Sequence, residues 1–188
     1  TMSIRSSNTP AIQYSNILVG DVWLASGQSN MEMALSQVKG GKEAVANSKN
    51  PMLRLFKVPR VLENTVEPVG TTWSESAPET SHGQTAVGWF FVSELQKELD
   101  IPIGLLNCSY GGTVTETWCS PDVLEQGWPV WEAFEKQAVK NPDWWRCNTS
   151  SDLYNRMLKT VMPFPVKGFI WYQGEANASR AYQYRELF

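Results

Sequence analysis

Histidine is nearly absent from this 188-residue sequence, which holds only His82. A hydrolytic mechanism built on an imidazole base therefore has a single candidate within the chain. Cysteine is also scarce. Cys108, Cys119 and Cys147 are odd in number and lack metal-ligand spacing, which argues against both a disulfide framework and a structural metal. No cofactor is expected. No apolar run approaches the ~18 to 20 residues of a membrane-spanning helix, and the opening TMSIRSSNTPAIQYSN lacks the basic-then-apolar layout of a signal peptide. Charge is low on both sides, with 16 basic against 19 acidic residues, so no basic face offers itself to a nucleic acid.

What the sequence has is aromatic area: nine Trp, six Tyr and seven Phe, side chains that fill a core or line a site for sugar rings. Hydrophobic residues make up 42%, and 13 Gly and 11 Pro are spread along the chain, as in a globular protein rather than a disordered one. The length fits one domain, or one domain with part of another.

Apolar runs and breakers place the elements. Val22 to Ala25 reads as a strand entering a turn at Gly27, and a helical pattern runs from Asn30 to Leu35, with Asn30 as its cap. Leu53 to Val58 alternates as a half-buried or edge strand does, and Glu63 to Ser81 reads as loop. Gln84 to Leu99 is predicted helical, with Val87, Phe90, Phe91, Leu95 and Leu99 as its apolar stripe. Ile103 to Asn107 is a strand, Trp131 to Val139 and Leu153 to Met162 are helices, and Val166 to Tyr172 is a third apolar strand. Alternation of this kind predicts an α/β fold with a mostly parallel sheet covered on both faces. Three strand ends then carry the turns Gly27-Gln28-Ser29-Asn30, Tyr110-Gly111-Gly112-Thr113 and Gln173-Gly174-Glu175-Ala176, where such sheets bind ligands.

Each turn reads two ways. Ser29 at a tight strand-to-helix turn is either an exposed nucleophile or, with Asn30, a helix cap. Gly111 and Gly112 either permit a turn with positive φ or present a bare N–H to an oxyanion, and Gln173 is either a turn former or a further donor. Acyl transfer needs a nucleophile and two or three convergent donors, and that requirement unites the three turns.

GDVWLASGQSNMEM (Gly20 to Met33), LLNCSYGGTVTETW (Leu105 to Trp118) and LYNRMLKTVMPFPVKGFIWYQGEANA (Leu153 to Ala178) resemble the sialate O-acetylesterase family of SGNH-type carbohydrate esterases. The resemblance implies a flavodoxin-like α/β/α sandwich, often preceded by a β-rich domain. It implies that Ser29 attacks the acetyl carbonyl, with oxyanion donors from the Ser29 and Gly112 amides and the Gln173 side chain. Gln28, Asn30, Gly111 and Glu175 belong to the same motifs and support them. The implied substrate is an O-acetylated carbohydrate, either sialic acid or a plant polysaccharide such as xylan, and the implied compartment is exported, periplasmic or lysosomal.

The sequence also departs from that family. Its members carry the catalytic base in an Asp-x-x-His motif late in the domain, and no such motif occurs here. His82, before a helix and outside the family's base position, is read as a surface or capping-region residue. The base is then expected beyond Phe188, in a further domain or chain segment, which makes these residues an incomplete part of the esterase domain. Glu116 and Glu175 are read as structural or substrate-orienting, with a glycosidase-style carboxylate pair as the weaker enzymatic alternative. An inactive glycan-binding homologue is the alternative from another class. Trp118, Trp128, Trp131, Trp144 and Trp145 are candidates for a sugar site, one or two at most. The sequons at Asn107, Asn148 and Asn177 are read as chance matches.

Overall fold

The computed structural model describes residues 1–6, 9–60, 72–125 and 148–187. A hairpin of β1 (Met2–Ser6) and β2 (Thr9–Tyr14), exposed along its length, precedes β3 (Asp21–Gly27). Then come α1 (Ser29–Glu32), a 3-10 turn (Leu35–Gln37), α2 (Gly41–Ala46), β4 (Asn50–Lys57), β5 (Ser74–Ser76) and α3 (Pro78–Ser81). They are followed by α4 (Ala86–Leu99), β6 (Ile103–Ser109), a 3-10 turn (Thr115–Trp118) and α5 (Pro121–Leu124). After residue 147 the chain forms a π-helical turn (Tyr154–Leu158) running into α6 (Lys159–Val161), then β7 (Gly168–Tyr172), a 3-10 turn (Glu175–Arg180) and α7 (Ala181–Leu187).

The central sheet has the strand order β5-β4-β6-β3-β7, parallel except for β5. Alternation of side chains divides its residues between two cores. Ala25, Leu53, Leu55, Ile103 and Leu105 pack on one face with Met31, Leu35 and the α4 residues Trp89 and Val92. Cys108 and Val58 pack on the other with Trp118, Leu153 and Met157, against which Leu24, Phe56 and Trp171 also lie. The sheet is thus covered on both faces, as the alternation of strands and helices predicts. β6 is buried over all seven residues because it lies at the centre of the sheet, between β4 and β3.

Several local expectations are corrected. The helix after Gly27 begins at Ser29, with Gln28 rather than Asn30 at the cap, and stops at Glu32. It stops because the next residues pair with the segment before α4: Ala34 bridges Thr85, the Leu35 amide donates to Gln84 and the Ala86 amide to Met33. The α4 helix buries Trp89, Val92, Ser93 and Gln96, and Phe91 and Leu95 of the expected stripe pack against the same core, whereas Val87, Phe90 and Leu99 are exposed. The inward stripe is set by i, i+3, i+4, i+7 spacing from Trp89, and two polar residues lie within it. Part of the expected loop folds, as β5 and α3. The helix expected over Leu153 to Met162 is π-helical in its first part. The strand expected from Val166 begins at Gly168 and lies at a sheet edge, where Phe169 is 70% exposed. The helix expected over Trp131 to Val139 and four candidate tryptophans, Trp128, Trp131, Trp144 and Trp145, fall outside the described residues, as does Cys147.

Candidate active site

Register brings the three turns together. Gly27 is level with Ser109 of β6 on one side and Tyr172 of β7 on the other, so three parallel strands end at the same height. The approach at Gly27 is tight. Its φ is +136°, and a Cβ there would lie 2.1 Å from the Tyr172 carbonyl oxygen, so only glycine fits. Immediately afterwards the Gln28 amide donates to that same carbonyl at 2.9 Å, and the Tyr110 amide donates to the Gly27 carbonyl at 3.0 Å. Two backbone bonds therefore tie the turn after β3 to both neighbouring strand ends.

The Gln28 side chain ties the first turn to the third. Its buried Oε1 accepts from Gln173 Nε2 at 3.1 Å and from the Ala176 amide at 3.1 Å, with the Gly174 amide at 3.3 Å. Three donors on the oxygen fix the flip of this amide, and Nε2 is left to donate to Ser29 Oγ at 3.4 Å. Ser29 itself is exposed, at the first residue of α1. Gly111 lies against it, since a Cβ on Gly111 would fall 3.7 Å from Ser29 Cβ.

The donors sort themselves by what they already bind. The Gly111 amide is taken by Glu32 Oε2 at 2.5 Å. The Gly112 amide and the Ser29 amide have no acceptor among the described residues. Gly112 stands at φ +72°, exposed, with nothing within 4 Å of where its Cβ would be. Its carbonyl is held by Asn148 Nδ2 at 3.1 Å, and Asn148 Oδ1 accepts from the Val114 amide at 2.8 Å. Gln173 Nε2 shares its two protons among Gln28 Oε1, the Thr113 carbonyl at 3.0 Å and Asn177 Oδ1 at 2.8 Å, while its Oε1 is buried without a partner among the described residues.

Behind the turns lies a buried polar lock. Asn177 Oδ1 also accepts from the Thr115 amide at 2.9 Å, and its Nδ2 donates to Glu116 Oε2 at 2.9 Å. Glu116, 3% exposed, pairs through its other oxygen with Arg180. This places Glu116 behind the turns rather than beside Ser29. Glu175 is exposed and accepts from Asn30 Nδ2, so Asn30 bridges the first turn to the third.

The other candidates lie apart. His82 is exposed at the end of α3, and its carbonyl accepts from the Ser36 amide at 3.1 Å. Trp118 is buried edge-on against Trp171, with centroids 6.0 Å apart, and donates its indole N–H to Thr113. It is a core residue. The sequon residues Asn107, Asn148 and Asn177 are all buried, which closes them to glycosylation in the folded chain. Burial pushes the Cys108 thiol up to about 12; Cys119 rises to about 11, from burial first and the nearby Glu116 carboxylate second. Neither is a ready nucleophile. Among the described residues no group of His, Cys, Asp or Glu is arranged to hold a metal ion. An apolar groove of about 800 Å³, lined by Trp73, Phe164 and Pro102, lies at the opposite ends of β3 and β6, away from Ser29.

Sequence reasoning missed Glu32, Asn148 and Asn177 as parts of the site, and Arg60, whose guanidinium pairs with Glu32 and stacks on the Tyr110 ring. Glu32 carried a signal, since Ser29-x-x-Glu32 has capping-box spacing, although the side chain turns instead to Gly111.

The family model for carbohydrate esterases of the sialic acid-specific acetylesterase type matches residues 19–188. The chain belongs to this acetylesterase family. It is similar to sialate O-acetylesterases of Pongo abelii, 35% identical over 86% of this chain, and Homo sapiens, 34% identical over the same share. The match covers 32% of each of those two relatives, so the chain spans about a third of their length. A crystal structure of a carbohydrate acetylesterase from Xanthomonas citri superposes with a TM-score of 0.73 at 38% identity, over 90% of this chain and 36% of that one.

Proposed function

We propose that this chain supplies the nucleophile and oxyanion hole of a serine O-acetylesterase acting on acetylated sugars. The observation that carries the reading is the exposed Ser29, against which Gly111 lies, together with the backbone amides of Ser29 and Gly112, which have no acceptor among the described residues. Preorganised donors aimed at developing charge are what an acyl-transfer site requires. Ser29 Oγ would attack the acetyl carbonyl as its proton passes to a general base. The tetrahedral oxyanion would rest on the Ser29 and Gly112 amides, with Gln173 as third donor by trading one of its three acceptors for it. Collapse expels the sugar oxygen, which takes the proton, and leaves acetyl-Ser29. Water, deprotonated by the same base, then releases acetate.

The base is proposed to come from a segment outside these residues, because the one imidazole here, His82, is exposed at the end of α3. Gln28, Asn30, Gly111 and Glu175 would hold the turns in place. The names of the relatives, sialate O-acetylesterases, favour acetylated sialic acid over a plant polysaccharide as substrate. Such a substrate goes with an exported or lysosomal protein.

The test is acetate release from an O-acetylated sialic acid by the full-length polypeptide that carries this sequence, run beside Ser29→Ala. Loss of ~10³-fold or more in the variant supports the reading. Equal acetate release by both proteins refutes Ser29 as nucleophile. A folded wild type that binds the sugar without releasing acetate makes the chain part of an inactive glycan-binding homologue.

A further inference from the structure

Glu32 is a carboxylate placed where a carboxylate should hurt. Its Oε2 accepts the Gly111 amide, next to the amide that would hold the oxyanion. Successive backbone nitrogens are no more than ~3.6 Å apart, so this oxygen lies within ~6 Å of the Gly112 nitrogen. A full negative charge there opposes the charge that develops in acyl transfer. The other carboxylate oxygen, Oε1, pairs with Arg60, and the Arg60 guanidinium is stacked 4.4 Å above the Tyr110 ring. Tyr110 immediately precedes the glycine pair, so the cation is anchored on the same turn that the carboxylate holds.

We propose that Glu32 and Arg60 form a neutralised strut for the oxyanion turn, a role that rests on the serine-esterase reading above. Glu32 occupies the Gly111 N–H, which fixes the Tyr110-Gly111 peptide at the entry to the glycine pair and leaves the next N–H, of Gly112, as the donor. Arg60 cancels the charge that this device would otherwise place near the oxyanion. Both are positioning residues, since neither touches the reacting atoms. Unit charges ~8 Å apart at an effective dielectric of ~20 repel by an amount worth about thirtyfold in rate. Glu32 and Arg60 are 26% and 36% exposed, so water screens this to roughly tenfold.

The experiment is a cycle in the full-length polypeptide: Arg60→Met, Glu32→Gln and the double variant, assayed by steady-state acetate release with Ser29→Ala as the background. Arg60→Met should lower kcat about tenfold with little change in KM. Glu32→Gln should cost less than about threefold, because its amide oxygen still accepts from Gly111 and carries no charge. The double variant should then match Glu32→Gln, so that removing the carboxylate rescues the loss of the cation. A double variant slower than Arg60→Met overturns the proposal, as does an Arg60→Met effect on KM alone. Hydrogen exchange at the Gly111 amide supplies a readout independent of turnover. Protection should survive Glu32→Gln and fall at least tenfold in Glu32→Ala. Unchanged protection in Glu32→Ala sinks the strut whether or not acetate is released, while wild type without acetate release but with the expected protection pattern refutes the esterase reading alone.

Discussion

Gly27→Ala is the sharpest test of how the site is assembled. The added Cβ would lie 2.1 Å from the Tyr172 carbonyl oxygen, 2.6 Å from its carbon and 3.0 Å from its nitrogen, all backbone atoms that cannot swing aside. β3 and β7 must separate at their ends, and the 2.9 Å bond from the Gln28 amide to Tyr172 is lost, a cost of about 1 kcal/mol. An alanine at φ +136° adds about 1 to 3 kcal/mol of backbone strain. Together these give about 3 kcal/mol. Gly112→Ala is the matched control, because φ there is +72° but the space around its Cβ is empty, so only about 1 to 2 kcal/mol of strain applies. Urea denaturation of the two variants measures the difference directly. Gly27→Ala should also lose acetate release in the folded state, since Gln28 and Ser29 move with the turn. A Gly27→Ala variant no less stable than Gly112→Ala would refute the claim that the β3 to β7 approach fixes the site.

Two further outcomes are expected. Glu116→Ala strips the buried Asn177 Nδ2 of its acceptor and takes the carboxylate from Arg180, so the chain should lose about 3 kcal/mol of stability, with acetate release falling further than in Glu116→Gln; chemical denaturation and kcat check both. Cys108 holds its proton to about 12 when folded against an ordinary 9.0, so its contribution is complete below pH 9 and is lost as pH rises from 9 towards 12, at up to about 1.4 kcal/mol per pH unit. A wild-type stability curve that falls no more steeply above pH 9 than that of Cys108→Ala would contradict this burial.

β3, β4, β6 and β7 and the turns that follow β3, β6 and β7 were legible in the sequence because the cues are local, whereas β1, β2 and β5 were not read. The apolar run of β6 and the glycines after β3 and β6 act within a few residues. The α4 helix was legible as an element, but its buried face only in part, through Phe91 and Leu95. Val87 and Phe90 are as apolar as Val92, and only the sheet beneath decides that Trp89, Val92 and two polar residues point inward. The helix after Ser29 was read too long for a similar reason, since residues 33–35 pair with residues 84–86, about fifty positions away.

What the sequence by itself determined is that three polar turns follow three apolar strands, one of them led by a serine and one holding paired glycines. Steric and conformational preferences of neighbouring residues suffice for that. Tertiary structure alone decided that the turns meet, through the level register of Gly27, Ser109 and Tyr172. It decided the bonds that orient them, from Gln173 to Gln28 across 145 positions, from Thr115 to Asn177 across 62 and from Gly111 to Glu32 across 79. Contacts of that range depend on how the whole sheet is ordered and paired, and no window of sequence carries them.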